Sequence, residues 1–245
     1  MIKLSFKCLL LGVLAGGLWF YNGYAFSQAE PTRIVVARQP DSPLLILPTY
    51  IDSSNPLSPR YGYSVTNTGD KPIRAYTIQE SVSLDTGAPI IRTTLAHAPT
   101  EKQFLAPHDS KQERGGVGAT YKSPPLKIEL AVDFIEFADG SRWGTDTSES
   151  GDRLDGMRAG GKAAIKRYRE ILSARGISGV EEALTKTDLI QPEIQPKSHM
   201  WAIGFKTGAS IVKSRLQQAR DKKGQDEVKR ELTKPFDSTE GRTEK

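Results

Sequence analysis

The sequence predicts an α+β protein in which an antiparallel β-sandwich is followed by an α-helical C-terminal region. Residues Leu126 to Phe137 alternate apolar and polar side chains with a period of two, which is typical of a half-buried strand. From Leu154 to Leu172 the apolar residues instead recur three and four positions apart, as on one face of a helix. The change of period after Thr147 therefore divides the chain into a β-sandwich domain, residues 31–147, and a helical region, residues 148–235.

Short apolar or alternating runs, separated by turn residues, fill the β region. Asp139-Gly140 marks a tight hairpin, because a type I′ turn needs positive φ at both central residues. The stretches Pro99–Pro107 and Gly115–Pro125 are predicted to be loops or weak edge strands. Several short strands without intervening helices favour a two-sheet sandwich. The predicted strands are Arg33–Arg38, Leu44–Tyr50, Tyr61–Asn67, Ile73–Leu84, Ile90–Leu95, Leu126–Phe137 and a last strand that reaches Trp143.

Three segments of this region resemble bacterial exported immunoglobulin-like modules. They are YSVTNTGDKPIRAYTI at Tyr63–Ile78, LAPHDS at Leu105–Ser110 and VDFIEFADGSRWG at Val132–Gly144. In such modules a strand ending in V-x-N-x-G precedes a core strand, and a late hairpin closes the sheet. The chain is also similar to uncharacterised exported bacterial proteins with a DGSRWG hairpin. The resemblance implies an immunoglobulin-like β-sandwich that binds or scaffolds rather than catalyses, and it leaves the ligand open.

The first helical segment is predicted to stop at a glycine. Gly176 follows the last apolar position of the stripe, and glycine commonly ends helices because it tolerates positive φ. The run Ser178 to Glu181 has the spacing of a capping box, in which a serine and a glutamate satisfy the first amides of a helix. A short helix to about Thr185 is therefore expected after the break.

A second long helix is predicted from Met200 to Lys222, with Gly224 as its end. Val228 and Leu232 allow one or two further turns. Residues 236–245 are polar and are predicted to form a disordered tail. Because a lone amphipathic helix is marginal in water, the two long helices must pack on each other, on the sandwich or on a partner.

The N-terminus has the pattern of a secretory signal. Lys3 and Lys7 precede an uncharged apolar run, Cys8 to Phe20, and small residues at Gly23 and Ala25 fit a cleavage site. Residues 1–25 are therefore predicted to be a signal peptide, and the protein to be exported, either periplasmic or secreted. The alternative is a retained anchor, because the apolar stretch extended to Phe26 approaches the roughly 17 residues that span a bilayer.

Cys8 is the only cysteine in the sequence. A chain cleaved after it has no disulfide, no thiol nucleophile and no cysteine ligand for a metal. The stability of the folded part must therefore come from packing, for which its length is sufficient. No cofactor is expected.

A glycine-rich run, Gly156 to Ala163, nearly matches the phosphate loop of nucleotide-binding proteins. Ala163 stands where that motif needs a hydroxyl, and the run lies inside a helical pattern rather than between a strand and a helix. Close helix contact explains these glycines better. Gly204 and Gly208 form a similar small-xxx-small pair in the second helix, and we expect them to contact another soluble helix.

Carboxylates near the hairpin offer a hydrolase as an alternative function. Asp133 and Glu136, with His108, could supply the acid and base for cleavage of a sugar or peptide. The strand pattern places Asp133 on the solvent face and Glu136 out of phase with it, which does not favour a site. No residue is assigned as catalytic, as a metal ligand or as a cofactor contact, and Trp143 and Trp201 are predicted to be core anchors.

Charge is unevenly distributed along the chain. From Ser148 onward there are 20 lysines and arginines against 15 acidic residues, whereas 26–147 contains 12 against 14. A solvated helical surface that carries both signs explains this asymmetry best, because acidic residues are mixed in throughout. The alternative is an acidic partner, either a protein or an envelope component such as lipid headgroups, and nucleic acid is not expected. The function predicted is therefore a non-enzymatic binding or scaffolding protein. The candidate partner-binding residues are Arg158, Lys162, Arg167, Arg169, Lys206, Lys213 and Arg220.

Overall fold

The structure, a computed structural model, describes residues 31–97, 104–116, 119–186, 190–193 and 195–236. The described residues all belong to one compact unit, which begins at Pro31. The predicted signal or anchor, residues 1–25, lies outside the described residues. In the part described there are eight strands in two mostly antiparallel sheets, followed by three helices, which confirms the α+β class.

The strands agree closely with the alternating runs of the sequence. One strand was not predicted: β6, Ser110–Gly115. Only its last residue, Gly115, belongs to a predicted stretch, where it begins a loop or weak edge strand. Its sequence, SKQERG, contains no apolar side chain, so alternation could not reveal it. The strands are β1 Arg33–Val36, β2 Leu44–Asp52, β3 Arg60–Asn67, β4 Ile73–Ser83, β5 Ile90–His97, β6 Ser110–Gly115, β7 Lys127–Phe137 and β8 Arg142–Trp143.

The two sheets share one hydrophobic core. The larger sheet has the order β1-β7-β4-β5, with β8 beside the end of β7, and the smaller has the order β2-β3-β6. All neighbours are antiparallel except β1 and β7, which run parallel. Ile46 and Tyr63 of the smaller sheet belong to the same buried cluster as Ile78 and Leu130 of the larger one. The inner faces of the sheets therefore pack against each other.

A β-bulge reverses the alternation of side chains within β7. Val132 and Phe134 pair with consecutive residues of β4, so Asp133 is an extra residue in the ladder. Val132 faces the core between the sheets, whereas Phe134 packs on the other face with Leu154 of the helical region. The prediction that Phe134 continues the inner face and that Asp133 faces solvent is therefore wrong. Asp133 is buried, with 2% of its surface exposed.

Three helices follow the sheets: α1 Ser150–Thr185, α2 His199–Lys223 and α3 Gln225–Thr233. The predicted break lies at Gly176 inside α1, where φ is 65° and the helix is interrupted for one residue. Gly224, with φ of 78°, separates α2 from α3. At both positions glycine adopts a backbone conformation that other residues rarely accept.

Glycines allow α1 and α2 to cross with their backbones in contact. Gly156 and Gly160 of α1 face Gly204 and Gly208 of α2, and a Cβ atom at any of the four would overlap a backbone carbonyl of the opposite helix. The predictions of a close helix contact, made separately for the two glycine pairs, are both confirmed. The phosphate-loop interpretation fails, because this run forms a helix packed against a second helix.

The helical layer has its own core. Side chains from α1, α2 and α3 form one buried cluster, which includes Tyr168, Val212 and Val228. Phe236, the first residue of the predicted tail, belongs to this cluster with 1% of its surface exposed. Its ring lies on Gly161, where a side chain would occupy the same space. The rest of the predicted tail lies outside the described residues.

We expect Gly160→Ala to destabilise the protein although alanine is the better helix former. Alanine would gain about 1 kcal/mol in an open helix, but here its methyl group would overlap the Phe205 carbonyl. Overpacking of this kind costs about 1–3 kcal/mol net. Urea unfolding measures the change. Gly69→Ala is the matched control, since a Cβ there makes only ordinary contacts, and equal midpoints for the two variants would contradict the close crossing.

Candidate functional site

A groove of about 620 Å³ opens on the helical layer beside the glycine crossing. One wall is α1, the other is the start of α2, and the segment after α3 closes one end. A volume of this size accommodates several side chains of a peptide or a small ligand. Its apolar lining includes Ile165, Trp201, Phe205, Pro235 and Phe236.

Aromatic side chains form the floor of the groove. Trp201 and Phe205 lie one turn apart on α2, and their rings stack with centroids 5.4 Å apart and planes at 28°. Phe236 reaches the floor because Gly161 leaves room for its ring. Ser198 fixes the start of α2 by accepting a hydrogen bond from the Trp201 amide at 3.1 Å. The three rings are held in the core, so they offer a recessed apolar surface rather than a protruding one.

Cations outnumber carboxylates along the groove. Lys162, Lys166 and Arg169 line it with Glu170 and Glu193. Lys166 Nζ lies 3.0 Å from a Glu193 oxygen, and this hydrogen bond with its charge raises the pKa of Lys166. The surplus of one positive charge next to an apolar floor favours a ligand that carries both an acidic and an apolar group.

Two of the seven predicted partner-binding residues line this groove, Lys162 and Arg169. Lys162 is exposed. Arg169 donates from Nε to the Leu232 carbonyl at 2.6 Å, which also ties α1 to α3. Lys166, which lies between them in sequence, was not among the predicted residues. No local pattern distinguishes Lys166 from the other cations of α1, because the groove that it lines also requires Pro235 and Phe236 from far along the chain.

The other five predicted residues lie outside the lining of the groove. Lys206 is exposed on α2. Arg158 turns toward the sheet, where it pairs with Glu136. The remaining three have partners within the chain: Arg167 pairs with Glu170, Lys213 donates to the Lys186 carbonyl, and Arg220 pairs with Asp221.

A buried ion cluster joins α1 to the larger sheet. The Glu136 carboxylate, 2% exposed, lies 3.8 Å from Arg74 and 3.3 Å from Arg142, and Arg158 of α1 binds both its oxygens. Asp155 adds a second carboxylate, 2.7 Å from Arg142. Buried charge is tolerated only when it is paired and hydrogen-bonded, and Glu136 meets that condition. The cluster fastens the helical layer to the sheet.

Asp133 organises the connection between β8 and α1. Its carboxylate accepts hydrogen bonds from the amides and hydroxyls of Thr147 and Ser148 at 2.6–3.1 Å. Burial opposes ionisation of Asp133, but these hydrogen bonds outweigh it and hold its pKa below the ordinary value. Asp146 then accepts from the first two amides of α1, at 2.6 and 3.0 Å. The bulge in β7 thus positions the start of the helix.

The carboxylates considered for hydrolysis have structural roles. Asp133 and Glu136 are enclosed by the hydrogen bonds and ion pairs above, whereas His108 is exposed and lies 3.8 Å from Asp70. Asp133, Glu136 and His108 are therefore not gathered around any of the cavities found among the described residues. In the same part of the chain, no group of three or more His, Cys, Asp or Glu side chains is placed to hold a metal ion.

A third buried carboxylate was not predicted from the sequence. Glu80 lies in β4 among core residues and is 2% exposed. Burial raises its pKa, and the nearby Tyr61 hydroxyl and the charge of Arg92 only partly offset this. In the strand pattern it appears as one polar position among apolar ones, so only the packing of the two sheets reveals its burial.

Comparison of the chain with protein-family models, curated proteins and solved structures found no match. Among the described residues, no helix combines the length and apolar character needed to cross a bilayer. The functional interpretation therefore depends on the geometry of the groove and of the ion cluster.

We expect Glu136→Gln to destabilise the fold strongly. The substitution keeps the shape of the side chain but removes the negative charge that faces buried Arg74 and half-buried Arg158. Breaking a buried pair from one side costs about 3–5 kcal/mol, and Asp155, 3.5 Å from Arg158, compensates only that arginine. The measurement is the free energy of unfolding in urea. Asp139→Asn, which removes an exposed pair with Lys71, should cost at most about 1 kcal/mol, and similar losses in the two variants would refute the fastening role.

His97, at the end of β5, is expected to make stability sensitive to acid. Burial, with the charges of Arg153 and Arg158, lowers its pKa, and its Nδ1 has no hydrogen-bond partner among the described residues. Below pH of about 6.5 the unfolded chain protonates this histidine, whereas the folded chain resists until its lower pKa is reached. Stability therefore falls with falling pH in that window, by at most about 1.4 kcal/mol per pH unit.

The variant His97→Asn should flatten this acid-side dependence when unfolding free energies are measured across the window. His108→Asn, a change at an exposed histidine, should leave the slope unchanged. A slope that survives in His97→Asn would assign the acid sensitivity to other groups.

Proposed function

We propose that the protein is an exported, non-enzymatic binding module whose groove holds an acidic and partly apolar segment of another envelope protein. The observation that carries this proposal is the groove itself, which combines a recessed aromatic floor with Lys162, Lys166 and Arg169 at its rim. Apolar burial supplies affinity, and the cations select a segment with carboxylates.

A protein segment fits the groove better than a bilayer surface does. A membrane-binding face needs aromatic or aliphatic side chains that protrude into the lipid. Here Trp201, Phe205 and Phe236 are at most 4% exposed and form the floor of a concavity. Side chains of a partner can enter that concavity, whereas the face of a bilayer cannot.

We also propose that the β region is an immunoglobulin-like sandwich. The order β2-β3-β6 corresponds to strands A-B-E of such a domain, and β8-β7-β4-β5 corresponds to G-F-C with a C′ strand beside C. The β7–β8 hairpin takes the place of the late hairpin expected from the sequence. Two departures are the very short β8 and the parallel β1, which pairs with the first half of β7.

Export is supported by the N-terminal pattern of Lys3 and Lys7, the apolar run Cys8–Phe20 and the small residues up to Ala25. A second candidate is a structural protein held in the membrane by the retained run Cys8–Phe26, whose length approaches that of a spanning segment. N-terminal sequencing of the protein recovered from cells separates the two. A chain that begins after Ala25 supports export with cleavage, and one that begins at Met1 supports the anchor.

Selection of random linear peptides on the full-length chain tests the groove. We expect the enriched peptides to pair acidic residues with aromatic or aliphatic ones. Lys162→Glu should weaken binding of an enriched peptide about tenfold or more, equivalent to at least 1.4 kcal/mol, as measured by fluorescence anisotropy. Lys206→Glu is the matched control, because that lysine is exposed on α2 outside the groove lining.

Three outcomes would defeat the proposal. Enrichment of peptides that lack acidic residues would show that the cations of the groove do not select the ligand. Equal affinities of Lys162→Glu and Lys206→Glu would place the binding site elsewhere. Binding to vesicles of phosphatidylglycerol, with no peptide enriched, would make the partner a lipid surface.

A further inference from the structure

Among the described residues the two sheets have five edge strands, and four of them carry features that discourage pairing with another strand. One of the four, β8, is only two residues long. β2 contains Pro48 and a bulge between Pro48 and Tyr50. β6 is six residues long and includes three charged side chains, and β1 has only four residues. Proline, bulges, charges and short length are the usual means by which proteins protect an exposed sheet edge.

The fifth edge, β5, has neither a proline nor a bulge, and its only charge before the terminal histidine is that of Arg92. It pairs with β4 over eight residues in an unbroken register, from Ile90 opposite Val82 to His97 opposite Ala75. Within the described residues β4 is its only strand neighbour, so the N–H and C=O groups of alternate residues point outward. Ile90 and Ile91 are 40% and 54% exposed, although isoleucine in a strand is normally covered.

From this contrast we propose that β5 is a self-association surface, at which a second copy of the chain adds its own β5 in antiparallel pairing to form a continuous sheet across a two-fold axis. Such an axis lies perpendicular to the sheet, so side chains that face each other must come from the same face. A two-fold axis that passes through Thr93 satisfies this condition, and Thr93 of one copy then lies opposite Thr93 of the other.

The composition of β5 is self-complementary in this register. Counting outward from the centre, Arg92 lies opposite Thr94 and Ile91 opposite Leu95. Ile91 is thereby covered by an aliphatic side chain, which is a stabilising cross-strand pair. The only charge in β5 before its terminal histidine, that of Arg92, does not meet its own copy. A second copy therefore fits this edge without like-charge repulsion. For this reason the strand that pairs with β5 is assigned to a second copy of the chain.

Cysteine cross-linking in the full-length chain tests the register. In a Cys8→Ser background, Thr93→Cys places two thiols opposite each other, since directly opposed strand residues have Cβ atoms about 5 Å apart and a small shift allows a disulfide. After mild oxidation in cells, we expect disulfide-linked dimer to form about tenfold or more faster than for Thr49→Cys, because pairing raises the local thiol concentration. Thr49 is an exposed threonine on the protected edge β2 and so serves as the matched control.

A second substitution distinguishes specific β5–β5 pairing from cross-linking by random collision. Ile91→Lys in the Thr93→Cys background replaces the aliphatic contact with Leu95 by a charge and should reduce dimer to the Thr49→Cys level. Leu47→Lys, an exposed leucine on β2, should leave cross-linking unchanged. Equal cross-linking of Thr93→Cys and Thr49→Cys, or full cross-linking despite Ile91→Lys, would overturn the proposal. Both substituted positions are exposed, so loss of folding does not confound the result.

Discussion

The contact of two helix backbones at four glycines sets the geometry of the helical layer. Gly156 and Gly160 of α1 meet Gly204 and Gly208 of α2 with no side chain between them. Helices that carry ordinary side chains at the crossing pack about 8–10 Å apart, and removing those side chains lets the axes come closer. This proximity turns the sides of α1 and α2 into the walls of one groove, and it places Trp201 and Phe205 at its floor. The glycines lose favourable helix propensity at each position, so the crossing must be compensated by packing.

The sheet fixes where this layer begins. The bulge at Asp133 turns that carboxylate toward the loop before α1, and Phe134 toward Leu154. Three residues after Asp133 in the same strand, Glu136 pairs with Arg158 of α1. Three polar or aromatic side chains of a single strand thereby hold the first turns of the helix, although strict alternation would have pointed two of them, Phe134 and Glu136, into the core between the sheets. The bulge therefore has a structural role, because it directs these side chains toward the helical layer.

Much of the architecture could be predicted from periodicity alone, because strands and helices with one buried face leave periods of two and 3.6 in the sequence. The breaks at Gly176 and Gly224 were predictable from local sequence as well, because glycine tolerates positive φ. The helix contact at the glycine pairs was predictable because the small residues are spaced along one helix face. What could not be predicted is long-range. The bulge at Asp133 depends on pairing with β4, the charged strand β6 has no apolar signal, and the groove requires Phe236 to return to Gly161 from far along the chain. Arg158 reads as a surface cation in the helix pattern, but only the phase shift in β7 brings Glu136 to meet it.

The residue types that most suggest catalysis in this sequence are used for assembly instead. The chain itself supplies the hydrogen-bond partners of Asp133 and the ion-pair partners of Glu136, and these contacts join the sheet to the helical layer. The surfaces that remain for a partner lie on different elements: the groove is lined by the helices and the segment after α3, and the open edge belongs to β5. No residue lines both. Pairing through β5 would therefore present two grooves on one assembly, and two linked sites bind a multivalent envelope target far more tightly than either site alone.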